Sequence, residues 1–495
     1  MRGSSGLVAA VSDPAASSQA RLIILVVVAS AQFMAVMSLS VVSIALPTIG
    51  RDLHATNTGL EWVVDAYQLV FASLLVAAGV IGDRRGRKGM FMLGVGVFAL
   101  GSLVAGAAPS IGVLIGGRLL QGLGPAIVAP TGLAIISATF TERRERARAI
   151  GVWSSGSGLG LALGPVLGGV LVDGLGWRTV FFVNVPLALV IMALGAVWVP
   201  RIPHTPARYR FDWGGAVLTT AAVALLTFAI IEAPAHGWLS GLVVISLVAG
   251  LASLAAFVAW ERRQPGALID VALFRRAPFT VANVAGMSVF FAFVGAIVYL
   301  SAYFQQVQHR SALVTGLCVL PIGLGFFLGA PLSGRIVGRL GARSPMIGGL
   351  VLCGAATLGL LRLAPRSAFA AVGWDLLLVG LGAGLCLTPM TTTAVAAVDH
   401  DRAGMASAIH NSMRQFGQAL GVAVLGVFVY AGIPAGQTGG HRLGPTQSNA
   451  FVSGLHLALL VSGICLLCAA ALAALLIPRG FLRPEPALAS GAPAN

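Results

Sequence analysis

Two ionisable residues, Asp65 and Arg118, stand inside otherwise apolar stretches of the sequence. A charged side chain within a membrane-length apolar segment costs ~2.5 kcal/mol or more unless it is paired or faces water. Both residues are predicted to lie about 9 Å from the same side of the membrane, at 1.5 Å of helix rise per residue. A carboxylate beside a guanidinium in a wet cavity can exchange a proton with water. The two residues therefore indicate a proton-coupling pair, a structural ion pair, or a carboxylate wetted at a cavity rim.

The elements that hold these residues must be membrane-spanning helices. The chain has 495 residues, of which 57% are hydrophobic and only 9% are charged, and its mean hydropathy is +0.92. This composition excludes a soluble globular protein and predicts an all-α polytopic membrane protein. Apolar runs near the length that crosses a bilayer core predict fourteen helices, at about 22–46, 59–82, 89–109, 112–137, 147–173, 178–199, 214–233, 239–260, 280–306, 313–335, 345–363, 374–397, 405–431 and 451–477.

The net charge of +15 could indicate a nucleic-acid partner, but the positions of the basic residues indicate a membrane topology instead. Most Lys and Arg residues fall in alternate loops, beginning with the N-terminal segment. Cytoplasmic loops of membrane proteins carry such an excess. The sequence therefore predicts a multi-pass protein of the bacterial inner (cytoplasmic) membrane, with both termini in the cytoplasm and basic loops that contact anionic lipid headgroups.

The sequence lacks the motifs of an ATP-driven pump or a membrane enzyme. It contains no nucleotide-binding loop, no zinc-ligand pattern such as H-E-x-x-H, and no nucleophile with a convincing base. We therefore predict no enzymatic activity, no catalytic residue, and neither a cofactor nor a metal.

Internal similarity predicts a duplicated architecture. GLALGPVLGG from Gly160 recurs as GQALGVAVLG from Gly417, and QGLGPAIVAP from Gln121 pairs with VGLGAGLCLTP from Val379 at nearly the same interval. Two parallel six-helix halves with two helices inserted between them explain this spacing. The predicted divisions are a cytoplasmic tail (1–21), an N-terminal half (22–199), an insert with its flanking loops (200–279), a C-terminal half (280–477) and a disordered tail (478–495).

Glycines recur every fourth residue from Gly156 to Gly168 in the fifth predicted helix. Each interior Gly costs roughly 1 kcal/mol against Ala, and an interior Pro about 3, so this helix must pack very closely or bend usefully. Small residues at this spacing also occur in any tight pair of membrane helices. The segment resembles the antiporter motif G-x-x-x-G-P-x-x-G-G of drug-exporting members of the major facilitator superfamily, through Gly160, Gly164, Pro165, Gly168 and Gly169.

Residues 79–88 resemble the same superfamily's loop signature, G-x-L-a-D-R-x-G-R-K. The matching residues include Gly79, Asp83, Arg84, Gly86, Arg87 and Lys88. A glycine permits a tight turn between antiparallel helices, and an acid at a helix end can cap another helix or pair with an arginine. The resemblance implies a gating loop that latches the cytoplasmic side as the halves rock. A loop that merely sets the topology is the alternative.

The chain is similar, across nearly its whole length, to the fourteen-span drug:proton antiporter family. The fourth-helix motif of that family, R-x-x-q-G-x-g, is matched here by Arg118, Gln121, Gly122 and Gly124. The resemblance implies a major facilitator fold that binds substrate near the midplane between its halves. It also implies export driven by the proton gradient, for which Asp65 is the first candidate to bind the proton and Arg118 to modulate its affinity.

One departure from the family concerns the first helix, which commonly carries an Asp. Here the segment reads MSLSVVSIALP, with Ser38 at the position of the acid, while the A-L-P end is kept at Ala45, Leu46 and Pro47. The loss of that acid leaves the number of coupled protons open. It also gives more weight to Asp65.

The candidate substrate cavity combines polar residues of several predicted helices, namely Ser38, Gln121, Tyr303, Asn411 and Arg414. Arg414 is predicted about 14 Å into its helix, close to the midplane, where a polar group needs a partner. It either lines the cavity or ties its helix to a neighbour. Glu61, one turn from Asp65, is expected at the rim of the cavity, and Glu232, in the insert, is expected away from the pathway.

Together these patterns predict a monomeric, proton-coupled exporter of drugs or antibiotics that works by alternating access. Its expected partners are a small amphipathic substrate, protons and membrane lipids, without nucleic acid. Two alternatives remain open, a narrow-specificity exporter of an endogenous metabolite and a transporter-like sensor that does not exchange solutes. Ser38 is compatible with the sensor, whereas Asp65, Arg118 and the antiporter motif argue against it.

Overall fold

The computed structural model describes residues 18–200, 212–263, 271–399, 403–434, 441–478 and 481, and every regular element in this part of the chain is helical. The long helices are α1 (Ser18–Asp52), α2 (Asn57–Arg85), α3 (Arg87–Gly106), α4 (Ile111–Thr139), α5 (Arg143–Leu175), α6 (Asn184–Trp198), α7 (Trp213–His236), α8 (Gly241–Glu261), α9 (Ala277–Ala302), α10 (Ala312–Leu340), α11 (Arg343–Gly359), α12 (Gly373–Ala396), α13 (Ala403–Tyr430) and α14 (Pro445–Leu476). A helical turn, Thr179–Phe182, precedes α6, and a π-helical turn, Tyr303–Val307, continues α9.

Each of the fourteen predicted apolar stretches coincides with one of these helices, with ends that differ by a few residues, so the all-helical membrane fold is confirmed. Thirteen helices of the described residues are long and apolar enough to cross a membrane. The stretch predicted at 59–82 lies in α2, whose 29 residues also exceed the length that a bilayer core requires. The two predicted tails, 1–21 and 478–495, fall largely outside the described residues, as do the loops at 201–211 and 264–270.

Helix packing repeats between the first six helices and the last six. In the first set, α1 packs on α5, and α4 packs on both α2 and α3. In the second set, α9 packs on α13, and α12 packs on both α10 and α11. Each helix of the second set has a number eight higher than its counterpart in the first set. This is the arrangement expected of two similar six-helix halves with two helices between them.

The turns between helices form two faces of the molecule. One face carries the loops that are rich in Lys and Arg, and we call it the basic face; the turns at Gly86 and Gly341 lie there. The opposite face carries the turns at His54, Gly176 and His309. Gly86 and Gly341 hold equivalent places, after α2 and after α10, and have φ angles of 97° and 77°. Only glycine adopts such angles readily, so the tight turn predicted at Gly86 is confirmed and is repeated in the second half.

The two halves meet along two seams, where α5 packs on α10 and α2 packs on α13. The inserted helices α7 and α8 pack on each other, and α7 also contacts both α2 and α13. The insert therefore lies beside the α2–α13 seam. Hydropathy shows that a helix spans the membrane, but it carries no information on which neighbours the helix has.

The glycine-rich helix α5 uses its small residues on two faces. Gly160, Gly164 and Gly168 lie against α1, and a Cβ atom at Gly160 would come within 2.9 Å of a backbone nitrogen of α1. Gly169 faces the other half, where a Cβ atom would lie 2.5 Å from the Cα atom of Leu313 in α10. The backbone of Pro165 likewise lies against Gly316 of α10. The close packing predicted from the motif is thus present within one half and across the seam.

Hydrogen bonds join the halves on the opposite face. Asp173, in the last turn of α5, accepts from the backbone N–H groups of Ala312 (3.2 Å) and Leu313 (2.9 Å) at the N-terminus of α10. The side-chain amide of Gln305 donates to the carbonyl of Ile44 in α1, at 2.9 Å. The first N–H groups of a helix have no intrahelical partner and carry a partial positive charge. The Asp173 carboxylate therefore stabilises the closed arrangement of this face.

Replacing Asp173 by Ala is expected to open the opposite face more often. The helix cap that is lost contributes ~1 kcal/mol. This corresponds to about a fivefold change in the equilibrium between the closed and the open opposite face. A cysteine introduced at Leu46, which lines the closed cavity of this face, should then react with a water-soluble maleimide about fivefold faster.

The matched control for this measurement is Asp52→Ala. Asp52 lies on the same face and pairs with Arg178 (2.7 Å) and Trp177 (2.8 Å), but all three residues belong to one half. Its loss should leave the labelling rate unchanged. Equal rates in the two variants would contradict the role assigned to Asp173.

Candidate functional site

Helix α2 presents polar groups, from both its backbone and its side chains, to two different neighbours. Residues 63 and 67 lie one turn apart and face α4 and α1. Residues 61, 65, 68 and 72 follow the spacing that lines another face of an α-helix. That face turns toward the other half, since Ser412 of α13 donates to the carbonyl of Ala72 at 3.2 Å. The candidate site therefore consists of two groups on either side of one helix.

The first group is organised by Arg118, which is fully buried in α4. Its Nε donates to the carbonyl of Val63 at 2.8 Å. One terminal nitrogen donates to Gln121 Oε1 at 2.7 Å and lies 3.4 Å from Ser38 Oγ. The guanidinium carbon stands 4.3 Å from the centre of the Tyr67 ring, a cation–π arrangement that favours a buried cation.

Two further side chains extend this group to α1 and α3. Gln121 donates to Ser102 Oγ of α3 at 2.7 Å and lies 3.3 Å from Ser38 Oγ. Tyr67 donates its hydroxyl hydrogen to the carbonyl of Ala35 in α1 at 2.9 Å. Arg118 and its partners thus connect four helices of the N-terminal half through buried polar groups, and we call Arg118, Gln121, Ser38, Ser102 and Tyr67 the Arg118 network.

The predicted pairing of Asp65 with Arg118 is wrong. Asp65 is fully buried, and neither of its carboxylate oxygens has a hydrogen-bond partner within the described part of the chain. The equal depth of the two residues was a sound inference, but depth does not fix the direction around a helix. Asp65 follows Val63 by two residues, which at 3.6 residues per turn places it on nearly the opposite side of α2 from Arg118.

The second group lies where α2 meets the C-terminal half. The Glu61 carboxyl lies beside the Tyr299 hydroxyl of α9 and packs against Gly426 of α13. Only 9% of the surface of Glu61 is exposed, so the expectation that it sits at a wet rim is wrong. Gln68, one turn beyond Asp65, is also fully buried, and its amide has no partner among the described residues. We call Glu61, Asp65 and Gln68 the seam stripe.

A small cavity adjoins the outer part of this stripe. Its walls come from α1, α2, α9 and α13, and they include Ser43, Glu61, Tyr299, Gln306 and Tyr430. The cavity therefore lies between the halves, on the side of the opposite face. Trp62, beside Glu61 in the chain, donates instead to Glu232 of α7 at 3.0 Å, which places Glu232 against the seam and not away from it.

The other predicted cavity residues lie apart from the Arg118 network. Arg414 donates to Asn411 at 3.2 Å within α13, and its guanidinium carbon is 4.2 Å from the centre of the Phe290 ring in α9. Tyr303 is buried and donates to the carbonyl of Ala364 in the C-terminal half at 2.6 Å. Of the five predicted residues, Ser38 and Gln121 lie together in the Arg118 network, Asn411 and Arg414 lie together on α13, and Tyr303 is held elsewhere in the C-terminal half.

The gating loop is described only in part. Gly79 lies within α2, and Asp83 and Arg84 lie at its end. The side chains of Asp83 and Arg84 are outside the described part of the structure. Arg87 lies 3.4 Å from the carbonyl of Ala134 in α4. Lys88 Nζ donates to the carbonyl of Ala196 in α6 at 2.8 Å. The cations of this loop therefore hold the start of α3 to its neighbours on the basic face.

Sequence reasoning missed Gln68 and the contact of Tyr299 with Glu61. The signal for Gln68 was the spacing 61, 65, 68, which repeats polar residues along one face of an otherwise apolar helix. Tyr299 carried no such signal, because its partners lie in helices more than a hundred residues away in the chain.

Two similar helical halves that meet around buried acidic groups, in a chain with this many membrane-length helices, define a membrane transporter. The chain belongs to the Major Facilitator Superfamily, which it matches over residues 28–422.

Its relatives include proteins that confer drug resistance. The chain is 39% identical over 422 residues to the multidrug resistance protein Stp of Mycobacterium tuberculosis, covering 84% of this chain and 78% of that protein. It is 37% identical over 462 residues to the puromycin resistance protein pur8 of Streptomyces alboniger, covering 92% and 90%. Among solved structures, an inward-facing bacterial homolog of the human lysosomal transporter Spinster shares the fold, with a TM-score of 0.64, 18% identity, and coverage of 92% of this chain and 97% of that chain.

Proposed function

We propose that this chain exports amphipathic drugs or antibiotics from the cytoplasm in exchange for protons. The observation that carries the proposal is Asp65, a fully buried carboxyl at the seam whose oxygens have no hydrogen-bond partner in the described residues. A carboxylate held out of water without a partner costs several kcal/mol, and a bound proton removes that cost. The drug-resistance functions named for Stp and pur8 support drugs or antibiotics as the substrate class.

The basic face is assigned to the cytoplasm in this proposal. Loops on the cytoplasmic side of a membrane protein carry the excess of Lys and Arg, and alternate loops of this chain show that excess. Both termini then lie in the cytoplasm of a cell whose plasma membrane the protein crosses. The protein works as a monomer and draws its energy from the proton gradient, without a cofactor.

Asp65 alternates between the two sides of the membrane in this scheme. With the opposite face open, the Asp65 carboxylate takes a proton from outside water and becomes neutral. The neutral group is then buried as the halves close over it, which corresponds to the arrangement in this structure, where Asp173 and Gln305 join the halves on that face. With the basic face open, the proton passes to cytoplasmic water and the substrate binds before the halves rock back.

Arg118 acts on this cycle as a positioning residue. Its hydrogen bond to the carbonyl of Val63 and its contact with Tyr67 fix the rotation of α2 about its own axis. That rotation directs Asp65 toward the seam. The glycine-rich face of α5 supplies the other seam, along which the halves stay in close contact.

The proposal is tested with the wild-type protein in liposomes. An acid lumen is imposed, lumenal pH is followed, and ethidium is added outside as an amphipathic cation. Ethidium should enter the lumen as protons leave, so the lumen becomes more alkaline, and the effect should vanish when an ionophore collapses the pH gradient beforehand. Liposomes without protein provide the baseline.

A second arm of the experiment replaces ethidium by a panel of other compounds, including puromycin. Proton movement with several unrelated compounds supports a broad drug exporter. Proton movement with one compound alone supports the narrow-specificity exporter instead. Absence of proton movement with every compound would overturn proton-coupled drug export as the function.

A further inference from the structure

We propose that Glu61 is a second proton-binding residue, so that the transporter exchanges two protons for each substrate molecule. The inference rests on the proposed function and extends it from one carboxyl group to two. It follows from the position of Glu61 at the seam, from its contacts, and from the groups that surround it.

Glu61 belongs to the part of α2 that must be covered and uncovered as the halves move. It contacts Tyr299 and Gly426, which belong to the other half, and it lines the cavity between the halves together with Ser43. Opening the opposite face separates these groups. Glu61 is therefore buried in one arrangement of the halves and reached by water in the other, which a coupling group requires.

The hydroxyl of Tyr299, a polar group beside Glu61, gives its hydrogen to another acceptor. A tyrosine hydroxyl has one hydrogen to donate. Tyr299 donates it to the backbone carbonyl of Val422 in α13, so its oxygen is left as an acceptor. That hydrogen is therefore not available to stabilise a carboxylate at Glu61, which lies beside Tyr299 against Gly426.

Within the described part of the chain, no positively charged group faces Glu61. The titratable groups that face it are Asp65 on its own helix, Glu232 on α7, Tyr299 on α9 and Tyr430 on α13. None of these four carries a positive charge. A carboxylate in a dry site without a counter-charge is strongly unfavourable, and a second one a helical turn away adds repulsion, so Glu61 and Asp65 are both neutral while the seam is closed.

Each carboxyl then completes its own cycle. With the opposite face open, water reaches Glu61 and Asp65, and each carboxylate accepts one proton. With the basic face open, each acid gives its proton to water and returns to the carboxylate. Two protons thus enter the cytoplasm for each substrate that leaves.

The number of protons follows from an equilibrium measurement in liposomes. The membrane potential is held at zero with valinomycin and equal potassium on both sides, the pH difference is varied, and the ratio of lumenal to external ethidium is read at steady state. At equilibrium each exchanged proton changes this ratio about tenfold per pH unit. The wild type should show about a 100-fold change per pH unit and Glu61→Gln about a tenfold change.

Two further variants separate the loss of a proton site from a general disturbance. Glu61→Asp keeps a titratable group. It should retain the wild-type slope, meaning the change in the ethidium ratio per unit of pH difference. Glu232→Gln removes a carboxylate that faces the same region but is hydrogen-bonded to Trp62 at 3.0 Å, and it should also retain that slope.

The outcomes distinguish this inference from the proposed function. A wild-type slope of about tenfold per pH unit, or an unchanged slope in Glu61→Gln, overturns the two-proton exchange and leaves proton-coupled export standing. The wild-type slope needs no variant, so it decides the stoichiometry even if Glu61→Gln fails to fold. A wild-type protein that moves no protons with ethidium overturns both.

Discussion

Asp65→Asn is expected to lower the pH-driven accumulation of ethidium from about 100-fold to about tenfold per pH unit, because only the Glu61 carboxyl can then carry a proton. Asparagine has nearly the size of the neutral acid and fits the same buried position, but it neither binds nor releases a proton near neutral pH. The halves can still close over it, because no charge has to be buried. Ethidium should therefore still be exchanged in this variant, and a pH gradient should concentrate it less than in the wild type.

The matched control is Asp52→Asn, which alters an exposed acid that pairs with Arg178 within one half. Proton movement in this variant should equal that of the wild type. Undiminished ethidium accumulation in Asp65→Asn would show that the carboxyl group of Asp65 is not required for coupling, and the proton pathway would have to be sought elsewhere.

Arg118→Lys is expected to destabilise the protein strongly although the charge is kept. Lysine cannot reach the carbonyl of Val63 and the side chain of Gln121 with the planar fork that arginine provides. The buried acceptors left behind each cost about 1–3 kcal/mol, so the free energy of unfolding should fall by about 3 kcal/mol. The measurement is unfolding of the purified protein by titration with sodium dodecyl sulfate.

Proton movement in Arg118→Lys should fall as well, since α2 loses the contacts that direct Asp65 to the seam. Arg178→Lys is the matched control, because it makes the same exchange in an exposed ion pair with Asp52, where such a pair contributes about 1 kcal/mol or less. If the two arginine variants proved equally stable, the Arg118 network would not be what holds the four helices together.

Much of the fold could be predicted from the sequence. The fourteen apolar stretches, the turn at Gly86 and the close packing of α5 all follow from hydropathy, from the freedom of glycine and from the cost of small residues in a helix. These features are local, and each depends on a few neighbouring residues. The recurring sequence from Gly160 and Gly417 also indicated the repeated packing that the structure shows.

The candidate site was predicted less completely, because it depends on direction around a helix and on distant partners. Hydropathy and rise per residue placed Asp65 and Arg118 at one depth, but the side of α2 on which each neighbour packs is decided by tertiary contacts. Glu61 was assigned to water because it lies near a helix end. It is instead covered by Tyr299 and Gly426, whose positions no local pattern in the sequence reveals.

The placement of the α7–α8 hairpin bears on how such a chain could arise. The hairpin touches both halves, and Trp62 on α2 donates to Glu232 on α7 at 3.0 Å, so it is fastened to the first half by a specific bond. A pair of helices bonded to one half can move with that half, so that only its contacts with α13 change as the halves rock. A twelve-helix ancestor could therefore acquire such a hairpin between its duplicated halves by a single insertion, with its working cycle preserved from the start.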